Sequence, residues 1–156
     1  MKKVDFMAMT AAAMMLTSAP VCGAEQTQAD APVIGKQEIT IQDGRLTPEI
    51  LWAMGRIGSS SVSPDGKRIA YTVSYYSVKE NKSHTVIYVM NADGTGNKLL
   101  TTTAASESSP VWMKDGATLA FLSGGQIWKM NAEGTDRKQL SSYDGGIEGF
   151  AFSPDE

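Results

Sequence analysis

The sequence predicts an all-β chain of repeated four-stranded antiparallel units, and three observations carry that expectation. A turn followed by alternating apolar residues occurs in "SVSPDGKRIAY" (61–71), returns in "PVWMKDGATLAF" (110–121) and begins again in "FAFSPDE" (150–156). A second string, "IYVMNADGTGNKLLT" (87–101), matches "IWKMNAEGTDRKQLS" (127–141), with 40 residues between Ile87 and Ile127. The turn aspartates Asp65, Asp115 and Asp155 are spaced by 50 and then 40 residues, and "SYYSVKENKSH" (74–84) accounts for the extra ten where the second copy has only "LSGGQ" (122–126). Strands repeated every 40 to 45 residues or so are the period of β-propeller blades.

Before the repeats, "MKKVDFMAMTAAAMMLTSAPVCGAEQ" has two lysines, an apolar run from Phe6 to Leu16 and small residues ending at Ala24. That is the pattern of a secretory signal peptide, 1–24, cut after Ala24. Cys22 raises lipidation as an alternative. Val21 stands where lipoprotein signals have Gly, Ala or Ser, so cleavage after Ala24 is preferred. The exported chain then has no cysteine for disulfide or thiol chemistry, and the implied compartment is the periplasm or the medium. Residues 25–45 read as a linker, with "ITIQDG" (39–44) the only strand-like piece. A helix is predicted over 46–58: Thr47 caps it, Pro48 takes its first position and Glu49 sits at the positive end of its dipole. Ile50, Leu51, Met54 and Ile57 give it an apolar face, and Gly55 and Gly58 end it.

The first blade is expected over 59–104, with the insertion 74–84, and the second over 105–145. Residues 146–156 supply the first strand of a third, truncated blade. In the first unit Pro64 presets φ, Asp65 can bond to backbone and Gly66 accepts positive φ, while Ile69, Tyr71 and Val73, and later Leu119 and Phe121, alternate as half-buried strands. Ala70 and Ala120 would face a neighbouring sheet at close range. Two blades and one strand leave apolar faces unpaired, so the sequence reads as the front portion of a longer protein, aggregation-prone by itself.

"SPDGKRIAY" followed by "IYVMNADG" resembles the Pro-Asp variant of the WD40-like repeat found in TolB-like periplasmic proteins and in the propellers of prolyl oligopeptidase family serine peptidases. The stretch from "LTPEILWAMGRIG" through "SYYSVKENKSH", a helix and then a first blade with a Tyr-bearing insertion, is similar to the start of bacterial dipeptidyl-peptidase and acylaminoacyl-peptidase members. The resemblance implies a propeller that gates the access of short peptides to a C-terminal α/β-hydrolase domain, which is the partner missing from this chain. It also implies a Ser-Asp-His triad with its serine in a Gly-x-Ser-x-Gly elbow.

No such elbow occurs in residues 1–156. Gly58-Ser59-Ser60-Ser61-Val62 lacks the second glycine, and His84 is the only histidine. No catalytic residue is therefore assigned, and His84 is expected in a solvent-facing loop. "NADGTGN" (91–97) has the glycines of a calcium loop, but its twelve-residue frame starts at Val89 and ends at Leu100, neither a ligand, so it reads as a hairpin turn. No metal or other cofactor is expected. Trp112 and Trp128 fall at core positions of the repeat. The formal charge of −3 and the absence of a basic stripe argue against nucleic acid, and no membrane association is expected after signal cleavage. Tyr75, Tyr76, Lys79 and Glu80 of the insertion, with Lys82 beside them, are the candidate substrate-gating or interdomain residues. Three readings remain open: a non-catalytic propeller portion of a secreted peptidase, a TolB-like protein-binding module, or a propeller half that pairs with another chain.

Overall fold

The computed structural model describes residues 34–41 and 43–153. Residues 1–33, 42 and 154–156, and with them the signal peptide, Cys22, the Ala24 cleavage site and Asp155, lie outside the described residues. The elements run α1 (Pro48–Ala53), β1 (Arg56–Val62), β2 (Arg68–Ser77), β3 (Lys82–Asn91), β4 (Lys98–Leu99), β5 (Glu107–Trp112), β6 (Thr118–Ser123), β7 (Gln126–Asn131) and β8 (Lys138–Gln139). They form two antiparallel four-stranded sheets, ordered β1-β2-β3-β4 and β5-β6-β7-β8. This is a partial β-propeller of two blades.

Local chemistry explains the hairpins. At the first turn Ser63 Oγ donates to Asp65 Oδ1 at 2.6 Å, the Lys67 amide donates to the same carboxylate, and Gly66 takes φ of 71°. At its repeat, the amides of Ala117 and Thr118 both donate to Asp115 Oδ1 at 2.8 Å. Hydroxyl donors hold these carboxyls below the usual carboxylate range: Ser63 does so for Asp65, Thr118 for Asp115 and Thr95 for Asp93. The stabilising bonds are thus complete above the unfolded carboxylate range and are lost as the pH falls through the lower folded-state values. The urea midpoint is expected to be flat near neutrality and to decline below about pH 4. A variant with Asn at all three positions should lose much of that acid slope.

The blades are stacked face to side. Along β2, Ala70, Thr72 and Ser74 face one way and Tyr71, Val73 and Tyr75 the other, as the two-residue period requires. The first face meets blade 2: Ala70, Ile87, Val89 and Leu100 share one buried cluster with Trp112, Leu119, Phe121, Met130 and Ala132. Ala70, Ile87, Leu119 and Phe121 are fully buried. β5 is the strand wedged against β1, β2 and β3, and Trp112 fixes its depth by donating Nε1–H to the Ser61 carbonyl at 3.1 Å. Ala70 and Ala120 are both fully buried, and Ala70 meets the neighbouring blade as the small side chain implied. Trp112 is core and Trp128 packs against the same cluster, also as expected.

A buried ion pair joins the core. Glu107 is fully buried and takes Arg137 Nη1 and Thr103 Oγ1 on its Oε1, while Arg137 also donates to Ser123 Oγ. The Arg137 guanidinium carbon lies over the neighbouring rings of Phe121 and Trp128, 5.0 and 4.6 Å from their centroids. By the repeat, Glu107 occupies the place of Ile57 in blade 1, and Ile57 is 74% exposed.

Several expectations need correction. The helix is Pro48–Ala53, not 46–58: Met54 turns to an extended backbone at ψ of 133°, and Arg56 and Ile57 already pair with Ser74 and Val73 in the β1–β2 ladder. Thr47 does cap it, its Oγ1 accepting from the Ile50 amide at 3.3 Å. Its predicted apolar face does not dock, since Leu51, Met54 and Ile57 are exposed. Gly55 seats the turn instead, because a Cβ there would lie 2.7 Å from Val73 Cγ1 and 2.8 Å from the Tyr75 ring. Residues 39–41 form no strand. The insertion 74–84 is chiefly a longer hairpin: β2 and β3 stay paired out to Ser77 and Lys82, leaving only 78–81 as a tip. Residues 146–153, expected as a first strand, form none. Ile147 donates to the Gly125 carbonyl at 2.8 Å, and Phe150 meets Phe152 edge to face.

Candidate functional site

The hairpin extension places chemistry at one end of blade 1. Because β2 and β3 run on past the register of the second blade, their tip stands beside α1. A groove lies between them, made of two adjoining cavities of about 410 and 430 Å³ that share Trp52, Tyr76, Ser77 and Val78. Trp52 meets Tyr76 edge to face, with centroids 5.7 Å apart and planes at 67°. The Arg56 guanidinium carbon lies 4.7 Å from the Trp52 ring centroid and 4.6 Å from that of Tyr76. Gln37 Nε2 donates to the Tyr76 carbonyl at 3.2 Å and ties residues upstream of α1 to the rim.

The four candidate residues separate. Tyr76 and Lys79 line the groove. Tyr75 points to the opposite face of β2, where it is buried and exchanges a 2.9 Å hydroxyl contact with Tyr88. Burial, with the Tyr88 hydroxyl adding to it, pushes the Tyr75 phenol above the ordinary tyrosine range. Glu80 is exposed at the tip, its amide bonded to Ser77 Oγ, and does not line the groove. Lys82 lines the first cavity. Trp52 and Arg56 escaped the sequence reading. Their only signal is a spacing of four residues, which the strand start at Arg56 makes uninformative.

His84 is not a solvent-facing loop residue. It sits in β3, is 4% exposed, and its Nδ1 and Nε2 lie 3.0 Å and 2.9 Å from the carbonyls of Ile34 and Thr103. Both ring nitrogens thus lie within hydrogen-bond distance of backbone carbonyls. The residue tethers the segment before α1 and the connection between blades, and it is not placed to serve a nucleophile. At "NADGTGN", Asp93 caps Thr95 through amide and hydroxyl at 2.9 and 2.7 Å, the bonding of a hairpin turn. Among the described residues, no three His, Cys, Asp or Glu side chains gather to hold a metal ion.

Known proteins resemble this chain over most of its length. It is 39% identical over 120 residues to "Dipeptidyl-peptidase 5" from Porphyromonas endodontalis, a match covering 74% of this chain and 17% of that protein. The protein of the same name from Porphyromonas gingivalis is 45% identical over 135 residues, covering 81% of this chain and 20% of its own length. The chain is a propeller portion of the prolyl oligopeptidase family. It spans about a sixth to a fifth of the length of these relatives. This propeller portion is also 46% identical over 50 residues to "Tol-Pal system protein TolB" from Anaeromyxobacter dehalogenans, covering 32% of this chain and 10% of that protein. Among solved structures, an acylaminoacyl peptidase from Pyrococcus horikoshii overlays on 58% of the propeller portion and 14% of its own chain, with 19% identity and a TM-score of 0.48. No family model matches the sequence.

Proposed function

We propose that this propeller portion serves a secreted or periplasmic serine peptidase acting on short peptides, and that it gates access to a hydrolase domain lying outside residues 1–156. The observation that carries the reading is the 39% and 45% identity to two proteins named dipeptidyl-peptidase 5. The absence of a Gly-x-Ser-x-Gly string from these residues and the double engagement of His84 leave no triad here. The chemistry therefore belongs to the partner domain. The groove-lining hairpin tip, with Tyr76 and Lys79, stands beyond the paired ends of β2 and β3 and is the candidate gating element. Export follows from the N-terminal pattern, and N-terminal sequencing of the mature protein should begin at Glu25.

The test is a comparison of chains. Residues 25–156 alone should leave dipeptidyl p-nitroanilides uncleaved, whereas the product of the full reading frame should cleave them and be stopped by a serine-directed inhibitor. Deleting 78–81 in that longer product should raise cleavage of longer peptides relative to dipeptidyl substrates. Serine-inhibitor-sensitive turnover by residues 25–156 would refute the reading. A TolB-like role as a protein-binding module is the second reading, favoured by the 46% identity over 50 residues. It predicts partner retention and no hydrolysis from either chain.

A further inference from the structure

The two blades carry matching faces, and only one of them is covered. In blade 2, Leu119, Phe121 and Met130, with Trp128 beside them, pack on Ala70, Ile87, Val89 and Leu100 of blade 1. Blade 1 presents the same class of residue at the equivalent repeat positions: Ile69 for Leu119, Tyr71 for Phe121, Tyr88 for Trp128 and Met90 for Met130. No strand among the described residues lies against that face. The difference shows position by position. Trp112 is 6% exposed and its counterpart Val62 58%, while Glu107 is fully buried and its counterpart Ile57 is 74% exposed. Val62 pairs with Ile69 and Ile57 with Val73, so both look out on the uncovered side. The backbone repeats the contrast: a Cβ at Gly134 would lie 2.9 Å from the Leu100 carbonyl oxygen, whereas at its counterpart Gly94 a Cβ would meet nothing within 4 Å.

One margin of the face is sealed by the chain itself. Ile34 packs against the cluster of Tyr71, Val73, Tyr75 and Val86. Its carbonyl oxygen lies 3.0 Å from Nδ1 of His84, which pairs with Tyr75 near the hairpin tip. The face is also less polar than its counterpart, because Ile57, Val73 and Asn97 stand where blade 2 has Glu107, Ser123 and Arg137.

We propose that this face is the seat of a further blade of the same protein, lying outside residues 1–156, and that Ile34 stays in the seam between the two as a filler at the hairpin-tip end. The chain spans about a sixth to a fifth of the length of its relatives, which leaves length for such a unit. The incoming blade presents small and aliphatic side chains, in the manner of Ala70, Ile87, Val89 and Leu100. It places no carboxylate or guanidinium in the seam, because a buried charge would find only Ile57 and Val73 there and no partner. The seam between blades 1 and 2 thus holds an ion pair, and this one is apolar and shimmed by the N-terminal segment. The inference rests on the repeat and not on the peptidase reading, and its readout is accessibility, so failure of one is distinguishable from failure of the other.

Thiol labelling of the longer protein tests it, with cysteines introduced one at a time and the unsubstituted protein as background. Ile57→Cys and Val62→Cys should label at least about tenfold more slowly in the native protein than in urea, although both positions stand open in these two blades. That protection should survive about hundredfold dilution, since the occupant belongs to the same chain. Ile34→Asp should raise labelling of Val86→Cys about tenfold and leave that of Val62→Cys within about twofold, because only the tip end loses its cover. Ile34→Ala, a milder truncation, should give a smaller rise of the same kind, and unchanged far-UV circular dichroism would show that each variant is folded. Native labelling of Ile57→Cys and Val62→Cys at the unfolded rate would mean that no blade sits there. Protection lost on dilution would assign the face to a second copy, and a Val86→Cys rate indifferent to both Ile34 variants would mean that the incoming blade displaces Ile34. Any of these three results would overturn the proposal.

Discussion

Replacing Arg137 with methionine in the longer protein that carries this propeller portion should lower the stability of the propeller by about 3–5 kcal/mol, read as a large drop in the urea midpoint. Glu107 is fully buried, and its Oε2 has no hydrogen-bond partner among the described residues. Arg137 is therefore the main compensation for its charge, helped only by the Thr103 hydroxyl. Methionine keeps much of the packing against Phe121 and Trp128 but leaves a carboxylate stranded in the core. The double variant Glu107→Gln, Arg137→Met should recover a good part of the loss, because it removes the uncompensated charge along with its partner. A cost below about 1 kcal/mol for the single change would mean the pair is effectively solvated.

Phe121→Ala should be comparably severe, about 3–5 kcal/mol, through a cavity that neighbouring side chains only partly refill. Phe121 is fully buried, and it belongs to the cluster that Ala70, Ile87, Val89 and Leu100 supply from the other blade. The loss should therefore appear in both blades at once. Thermal unfolding followed by tryptophan fluorescence and by far-UV circular dichroism should shift together. A shift confined to one probe would place Phe121 in a local core of blade 2 alone.

What the sequence made legible was the part governed by short-range rules. Ser63 through Gly66 and Met113 through Gly116 specify their own turns, and the alternation after each turn fixes which face of β2 and β6 is apolar. The match between 87–101 and 127–141 then sets the repeat period. Several features were illegible because they depend on pairing at a distance. "SYYSVKENKSH" reads as a polar loop, yet Ser, Thr and Tyr pair well across antiparallel strands, and Ser74 contacts Thr85 hydroxyl to hydroxyl at 2.8 Å. Once the hairpin extends, Tyr75 and Tyr76 must face opposite ways, so only Tyr76 reaches the groove. His84 turns inward because two carbonyls, 50 residues before it and 19 after it, converge there.

The helix shows a second kind of limit. Ile50, Leu51, Met54 and Ile57 have helical spacing, but the chain becomes a strand at Arg56, and the spacing loses its meaning there. Trp52, outside that pattern, is the residue that meets Tyr76. The Glu107–Arg137 pair had a usable signal that went unread. Comparing the repeats sets Glu107 against Ile57 and Arg137 against Asn97, and a charge pair replacing uncharged residues at two repeat positions marks a contact peculiar to blade 2.

The central claim is that neither sheet owns its interior and that blades 1 and 2 become stable only against each other. Native-state hydrogen exchange in the longer protein that carries this propeller portion, read at the amides of Ile87 and Val89 in one blade and Leu119 and Phe121 in the other, measures this directly. The account predicts that all four exchange through one opening event, with the same free energy and the same denaturant dependence. Exchange of one set through a separate, lower-energy opening, while the other stays protected, would contradict it.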